Sequence, residues 1–299
     1  GLIENGQTAV IEMAACAGLP LVGDAPNPLK ATTYGVGQLM AAAAQRGCKK
    51  IILGLGGSAT NDFGAGAAAA LGIKFINAAG ESFIPTGGTL AEIVKIDKSG
   101  LLAELKSVEI VTMCDINNPL YGKNGAAYVF APQKGANADM VAYLDEQLRA
   151  IDKTVQAELG IDVSQLAGAG AAGGMGGGMV AFFGSQLRMG IEVVLDTVNF
   201  GEHLKGANLV ISGEGKIDSQ SLSGKVVIGV ARRAKKQNVP LVAIVGAIGD
   251  DIDAAYDEGV SAIFSINRAA IDFSIAKLHS KENLKLTMDN LLRFAQRLS

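Results

Sequence analysis

Ser58, Thr60, Asn61 and Asp62 crowd in directly behind Gly54, Gly56 and Gly57, within the stretch IILGLGGSATNDFGAG from Ile51 to Gly66. A glycine-rich loop can turn sharply and aim several backbone N–H groups at one point, which suits an anion at a helix N-terminus. Hydroxyls, an amide and a carboxylate beside such a loop are the groups that a phosphate, its metal ion and a substrate hydroxyl require. The same residues also suit an ordinary strand-to-helix turn with a polar cap. Two other segments repeat the grammar: DINNPL (Asp115 to Leu120) directly after VEIVTMC, and SGEGKIDSQ (Ser212 to Gln220) directly after NLVI. At the carboxyl ends of parallel strands, all three loops would line a ligand site. Carboxylates clustered there repel one another unless a cation lies between them, and hard oxygen ligands suit Mg2+.

Short apolar runs alternating with helical patterns would hold these loops. Thr8 to Met13, Ile51 to Gly54, Val108 to Cys114, Asn208 to Ser212 and Pro240 to Val245 read as strands. Thr33 to Arg46 reads as a helix stopped by Gly47, Ala65 to Leu71 as a short alanine-rich helix, and Met140 to Leu159 as a helix stopped by Gly160. Val226 to Gln237 is a basic helix, and Leu286 to Leu298 an amphipathic one. Strand, helix, strand in this rhythm implies parallel pairing with right-handed crossovers, hence an α/β architecture. Gly168 to Gly178 (GAGAAGGMGGG) divides the chain and reads as a linker, a loop closing over a phosphate, or a place where backbone packs on backbone. Its first six residues also satisfy G-x-G-x-x-G, with Glu192 near the distance of a ribose-binding acid. Asp162 to Ala167 ahead of it is no convincing strand, which weighs against a nicotinamide-dependent dehydrogenase.

Composition narrows the chemistry further. With 49% hydrophobic and 18% charged residues the chain is globular, and its 299 residues suffice for one large or two medium domains. A net charge of −3 without a basic run argues against nucleic acid and anionic membranes as partners. No stretch has the length of a membrane span, no signal peptide is visible, and three unpatterned cysteines fit a reducing cytoplasm. His203 and His279, both read as surface residues, stand outside any motif, which argues against a Ser-His-Asp hydrolase or a zinc site. No G-x-x-x-x-G-K-S/T occurs, because Gly215-Lys216 is followed by Ile217 and Gly224-Lys225 by Val226. Glycine loops, acids, amides, hydroxyls and the lysines Lys134, Lys216 and Lys225 remain, and phosphoryl transfer needs little else.

At these residues the chain resembles the class I glycerate kinase family. The resemblance rests on IEMAACAGLPL, TTYGVGQL, IILGLGGSATNDFGAG, CDINNPLYGKNGA, FAPQKGA, GAGAAGGMGGG, GIEVV and LVISGEGKIDSQSLSGKVVIGVA, in family order from near Gly1 to about Val245. Family members carry a further N-terminal stretch with APDS-F/Y-K-like and ADGGEGT-like motifs, neither of which occurs here. The chain is therefore expected to be a truncated or partly sequenced member.

The resemblance implies ATP-dependent phosphorylation of D-glycerate to 2-phosphoglycerate, assisted by Mg2+. It also implies two α/β domains with largely parallel sheets, one inserted in the other. Residues 1–205 would form the flavodoxin-like inserted domain, and residues 206–299 the C-terminal part of the outer Rossmann-like domain, with an apolar face that would make a lone fragment aggregate. On chemical grounds Gly56, Gly57 and Ser58 would bind phosphate, while Thr60, Asn61 and Asn117 would orient substrate. Asp62 or Asp115 would accept the hydroxyl proton or hold Mg2+. Glu214 and Asp218 would complete the metal site, and Lys216 or Lys134 would offset phosphate charge. Asp62→Asn is expected to lower turnover at least about a hundredfold with the fold intact. The competing expectation is a non-catalytic sugar-acid or nucleotide-binding regulator, which would bind through the same loops without turnover.

Overall fold

The computed structural model describes residues 1–218 and 225–297. The chain divides into two compact α/β units, Gly1–Arg188 and Met189–Ser299. In the first unit the strands are β1 (Leu2–Ile3), β2 (Thr8–Glu12), β3 (Lys50–Gly54), β4 (Lys74–Ile76), β5 (Ser82–Phe83), β6 (Lys95–Asp97), β7 (Glu109–Met113) and β8 (Gln186–Arg188). Its helices are α1 (Ala14–Ala17), α2 (Tyr34–Gln45), α3 (Ala65–Ala70), α4 (Ala126–Phe130), α5 (Ala138–Leu159) and α6 (Ala171–Phe183). The main sheet runs β1-β2-β3-β7-β8, parallel throughout except for antiparallel β1. Ile51, Ile52 and Leu53 of central β3 are all buried, as an uninterrupted apolar run predicts for a strand covered on both faces. The smaller sheet β5-β4-β6 is antiparallel, and its strands are too short to leave a periodic signal.

Helix α5 shows how local sequence fixes an element. Asn137 caps it by accepting a hydrogen bond from Met140 N at 2.9 Å, and Gly160, at φ 70°, ends it. Between these signals Val141, Leu144, Leu148, Ile151 and Val155 fall on one face and enter the core. Burial of each such side chain contributes about 1.5–3 kcal/mol.

The glycine-rich segment is helical from Met175 onward, after Ala172, Gly173 and Gly174 kink it with left-handed backbone at φ 54°, 69° and 89°. It forms α6, and it lies within the first unit instead of dividing the chain. Glycine is a poor helix former, so the reason lies in tertiary contact. A Cβ on Gly178 would stand 1.8 Å from Phe63 O, one on Gly176 2.2 Å from Gly168 O, and one on Gly173 2.1 Å from Thr60 O. The expectation of backbone packed on backbone is the one the structure supports. No strand precedes the segment, so the dinucleotide fingerprint lacks its required context.

The second unit contains α7 (Gly190–Thr197), α8 (Phe200–His203), β9 (Val210–Ile217), α9 (Val226–Lys236), β10 (Leu241–Ile248), α10 (Asp253–Asp257), β11 (Val260–Ser265), α11 (Phe273–Ala276) and α12 (Ser280–Ala295). The parallel sheet β11-β10-β9 packs Leu241, Ala243 and Val245 against Val227, Ile228 and Ala231 of α9.

Three sequence expectations shift here. The boundary falls after Arg188, not near Lys205, because Leu195 and Leu204 join the second unit's core and Arg233 of α9 pairs with Glu192 and Asp196 of α7. That pairing occupies Glu192, the acid considered for a ribose. The strand beginning near Asn208 runs on through Ile217, so Glu214 and Lys216 stand on β9 and not in a loop, while Ser219 and Gln220 lie outside the described residues. The final helix begins at Ser280, ahead of Leu286; Leu298 also lies outside the described residues. Apolar residues exposed on this unit include Phe273 at 75% and Leu278 at 76%. Among the described residues no helix is long and apolar enough to cross a membrane.

If the glycine contacts position α6, Gly178→Ala should unfold the chain at a markedly lower temperature. The overlap with Phe63 O should cost about 3 kcal/mol or more, net of alanine's helix preference of about 1 kcal/mol. Gly177→Ala, whose Cβ would meet only side-chain atoms at 3.2–3.3 Å, should cost far less. Equal thermal midpoints for the two variants would refute this account.

Candidate active site

The loop after β3 is tied down along its length. Leu19 N donates to Gly57 O and Ala59 N to Ala17 O, both at 2.9 Å, so the loop runs antiparallel to the segment after α1. Gly57 takes φ 73°, which a residue with a side chain would resist. Phe63 at φ 56° and Gly64 at φ 73° then swing the chain into α3. A left-handed Phe is uncommon. It is held by its N–H bond to Gly173 O at 3.1 Å and by ring packing against Phe182 at 5.6 Å.

Lys134 reaches this loop from a single turn after α4. Its side chain is buried, and Nζ donates to Ser58 Oγ at 2.8 Å and to Thr60 O at 2.7 Å. An ammonium has three donors, so this pairing leaves one for a ligand. Burial pushes its pKa from 10.5 down to about 7, and the nearby Asp62 carboxylate opposes that fall.

Asp62 is buried as well, but as an organiser of the loop. Its Oδ2 accepts from Thr33 N at 2.7 Å, Thr33 Oγ1 at 2.9 Å and Gly66 N at 3.3 Å, and its Oδ1 accepts from Gly64 N at 3.1 Å. Burial raises its pKa, against the lowering effect of the bonds from Thr33, Gly64 and Gly66. With both oxygens engaged, it does not face the cavity beside Lys134. The expectation that it serves as base or metal ligand therefore gives way to a positioning role.

That cavity measures about 420 Å³ and is lined by Gly56, Gly57, Ser58, Asp115 and Lys134, with Leu19, Leu55, Phe130, Gln133 and Ala172 among the other walls. The structure thus brings together two of the three sequence loops. Asp115 is exposed at the cavity wall, whereas Asn117 is exposed but does not line it. Thr60 and Asn61 are sealed, and Thr60 Oγ1 and both polar atoms of the Asn61 amide have no hydrogen-bond partner. Buried polar atoms without partners are uncommon and tend to mark functional positions.

The third loop's residues belong to the second unit. Lys216 pairs with Asp218 at 3.1 Å, and Glu214 stands on β9 with Oε1 shielded and unpartnered. Among the described residues no three His, Cys, Asp or Glu come together as a metal set. His203 and His279 are exposed.

Sequence reasoning missed Thr33, whose hydroxyl donates to Asp62 and accepts from Ala67 N at 2.9 Å. It also missed the cavity walls Gln133 and Ala172. Thr33 left a signal, since a threonine ahead of a helical run is a capping residue, though here it supports a distant loop.

The Glycerate kinase family profile matches residues 1–296. The chain is 46% identical over 292 residues to a glycerate kinase of Bacillus cereus (strain ATCC 10987 / NRS 248), covering 97% of this chain and 77% of that protein. It is 46% identical over 267 residues to the glycerate 2-kinase of Escherichia coli (strain K12), covering 89% and 70%. A solved structure assigned as a glycerate kinase 2 from Salmonella typhimurium LT2 superimposes with a TM-score of 0.84 at 42% identity, covering 99% of this chain and 79% of that one.

Two predictions follow from the buried charges. Between about pH 7 and pH 10.5 the unfolded chain holds a proton that folded Lys134 has released. Stability should therefore rise with pH across that window, by at most about 1.4 kcal/mol per pH unit. Denaturant titrations should show this rise in the native chain and a flatter profile in Lys134→Met; parallel profiles would exclude it. Asp62→Asn places an amide NH2 or a single acceptor against four donors, so it should lose about 2 kcal/mol or more of stability. This replaces the expectation of an intact fold, and an unchanged denaturation midpoint would restore it.

Proposed function

The chain belongs to the glycerate kinase family and is a kinase, and on that premise we propose that it transfers the γ-phosphoryl group of ATP to the C2 hydroxyl of D-glycerate, giving 2-phosphoglycerate and ADP. The observation that carries the site assignment is Lys134: a desolvated ammonium, anchored on Ser58 and Thr60, at the wall of the first unit's cavity. Such a group attracts an anion strongly, because little water competes for it.

In this reading glycerate occupies the cavity, and Lys134 with the Gly56, Gly57 and Ser58 backbone meets its carboxylate or the incoming phosphoryl group. Asp115 accepts the proton of the C2 hydroxyl as that oxygen bonds to γ-phosphorus and the bond to the ADP oxygen breaks. Thr60 and Asn61 offer polar atoms without other partners for orienting the substrate or the loop around it. Asp62 holds the loop through Thr33, Gly64 and Gly66. Mg2+ would accompany the nucleotide phosphates, as the ion commonly does; the described residues supply no dedicated cage for it, and no step is assigned to it. The family pattern further suggests that the first unit corresponds to an inserted flavodoxin-like domain and the second to part of an outer Rossmann-like one. The reading has the reaction run in the cytoplasm on these small molecules.

The test is a coupled assay of ADP release with D-glycerate and MgATP, with the product's phosphorylated position read by phosphorus NMR. Asp115→Asn should reduce kcat about a hundredfold or more with a much smaller effect on the KM for glycerate. Near-native kcat in that variant would remove Asp115 as the base. Binding of glycerate without ADP release by the native chain would favour the regulator instead.

A further inference from the structure

A second cavity, of about 1000 Å³, lies within the second unit, and Glu214 and Lys216 are among its lining residues. Its floor is the surface of β9 and β10, including Gly213, Gly215 and Gly246, and residues of the C-terminal helices, among them Leu284 and Met288, line it as well. Glycine inside a strand weakens it, and often marks a place where a ligand or another backbone comes close. For two of these glycines the cause is the sheet itself. A Cβ on Gly213 would stand 2.5 Å from Ile244 O, and one on Gly246 2.5 Å from Gly215 O.

Gly215 differs. A Cβ there would meet nothing within 4 Å, and its backbone lies outside the left-handed region. Neither packing nor conformation accounts for the missing side chain. Its absence leaves a flat, bare floor in a cavity with apolar walls.

The polar groups around the cavity are selective. Glu214 lines it too, and a carboxylate accepts from donors such as a pair of hydroxyls. Lys216, Lys277 and Ser280 line the cavity too and suit an anionic tail. A flat apolar ring, hydroxyl donors and a phosphate tail are the three parts of a nucleotide, and the volume is at the upper end for small-molecule sites.

We propose that this cavity binds the nucleoside part of an adenine nucleotide, with the ring over Gly215 and the phosphates toward the lysines. The choice of an adenine nucleotide rests on the kinase reading; the cavity and its bare floor do not.

Gly215→Val is the decisive variant, because a Cβ there would meet nothing within 4 Å and the β-branched side chain suits a strand. Glu214→Gln keeps the shape and removes the charge. Isothermal titration with ADP should show affinity lowered at least about tenfold in Gly215→Val and reduced in Glu214→Gln, with native thermal midpoints in both. Native ADP affinity in both second-unit variants would overturn the proposal, as would a native chain that does not bind ADP. A native chain that phosphorylates glycerate while both variants bind ADP normally would refute this nucleoside site alone. A native chain without glycerate turnover would refute the kinase reading, and loss of ADP binding in Gly215→Val would still support the cavity assignment.

Discussion

A lysine ammonium taken out of water constrains the first unit more than any other single group. Lys134 cannot be buried at tolerable cost unless oxygens meet it, and those oxygens come from Ser58 and from the carbonyl of Thr60. Both lie on one loop, so the loop must hold a fixed path. Asp62 gathers four donors to fix that path from within, and α6 presses on it from outside. The glycines of α6 are what allow this pressure, since Gly173 touches Thr60 O and Gly178 touches Phe63 O where any side chain would collide. The polar site and the glycine helix are two sides of one arrangement.

That arrangement explains which features could be read from sequence. Buried runs such as Ile51 to Leu53 and the capped face of α5 announce themselves, because burial and periodicity act locally. The GLGGSATND loop was legible as a site by its residue types. The division of labour inside it was not, because Asp62 and Asp115 are the same residue type after similar strands. Only tertiary structure separates them, by surrounding one with N–H groups and leaving the other exposed at a cavity wall. The partnership of Lys134 with a loop more than seventy positions earlier has no local signal at all. Glycine in α6 was misleading for the same reason: local preference says loop, and close backbone contact overrides it.

The second unit shows the opposite failure. SGEGK reads as a loop by composition, since glycine, serine and glutamate favour turns over strands. Pairing with β10 overrides this, with Ser212 to Glu214 in register with Ala243 to Val245. Glu214 and Lys216 thereby stand two residues apart along an extended strand instead of at a loop tip.

The electrostatics of the first cavity suit a substrate that arrives and leaves as an anion. A permanently charged, fully buried lysine would bind tightly but would destabilise the fold at every physiological pH. A lysine whose pKa has fallen to about 7 sits near its own titration point, so a nearby anion can draw the proton onto it while the empty site tolerates its loss. Asp115 stands exposed at the wall of the same small cavity, so a carboxylate and a buried cation share it.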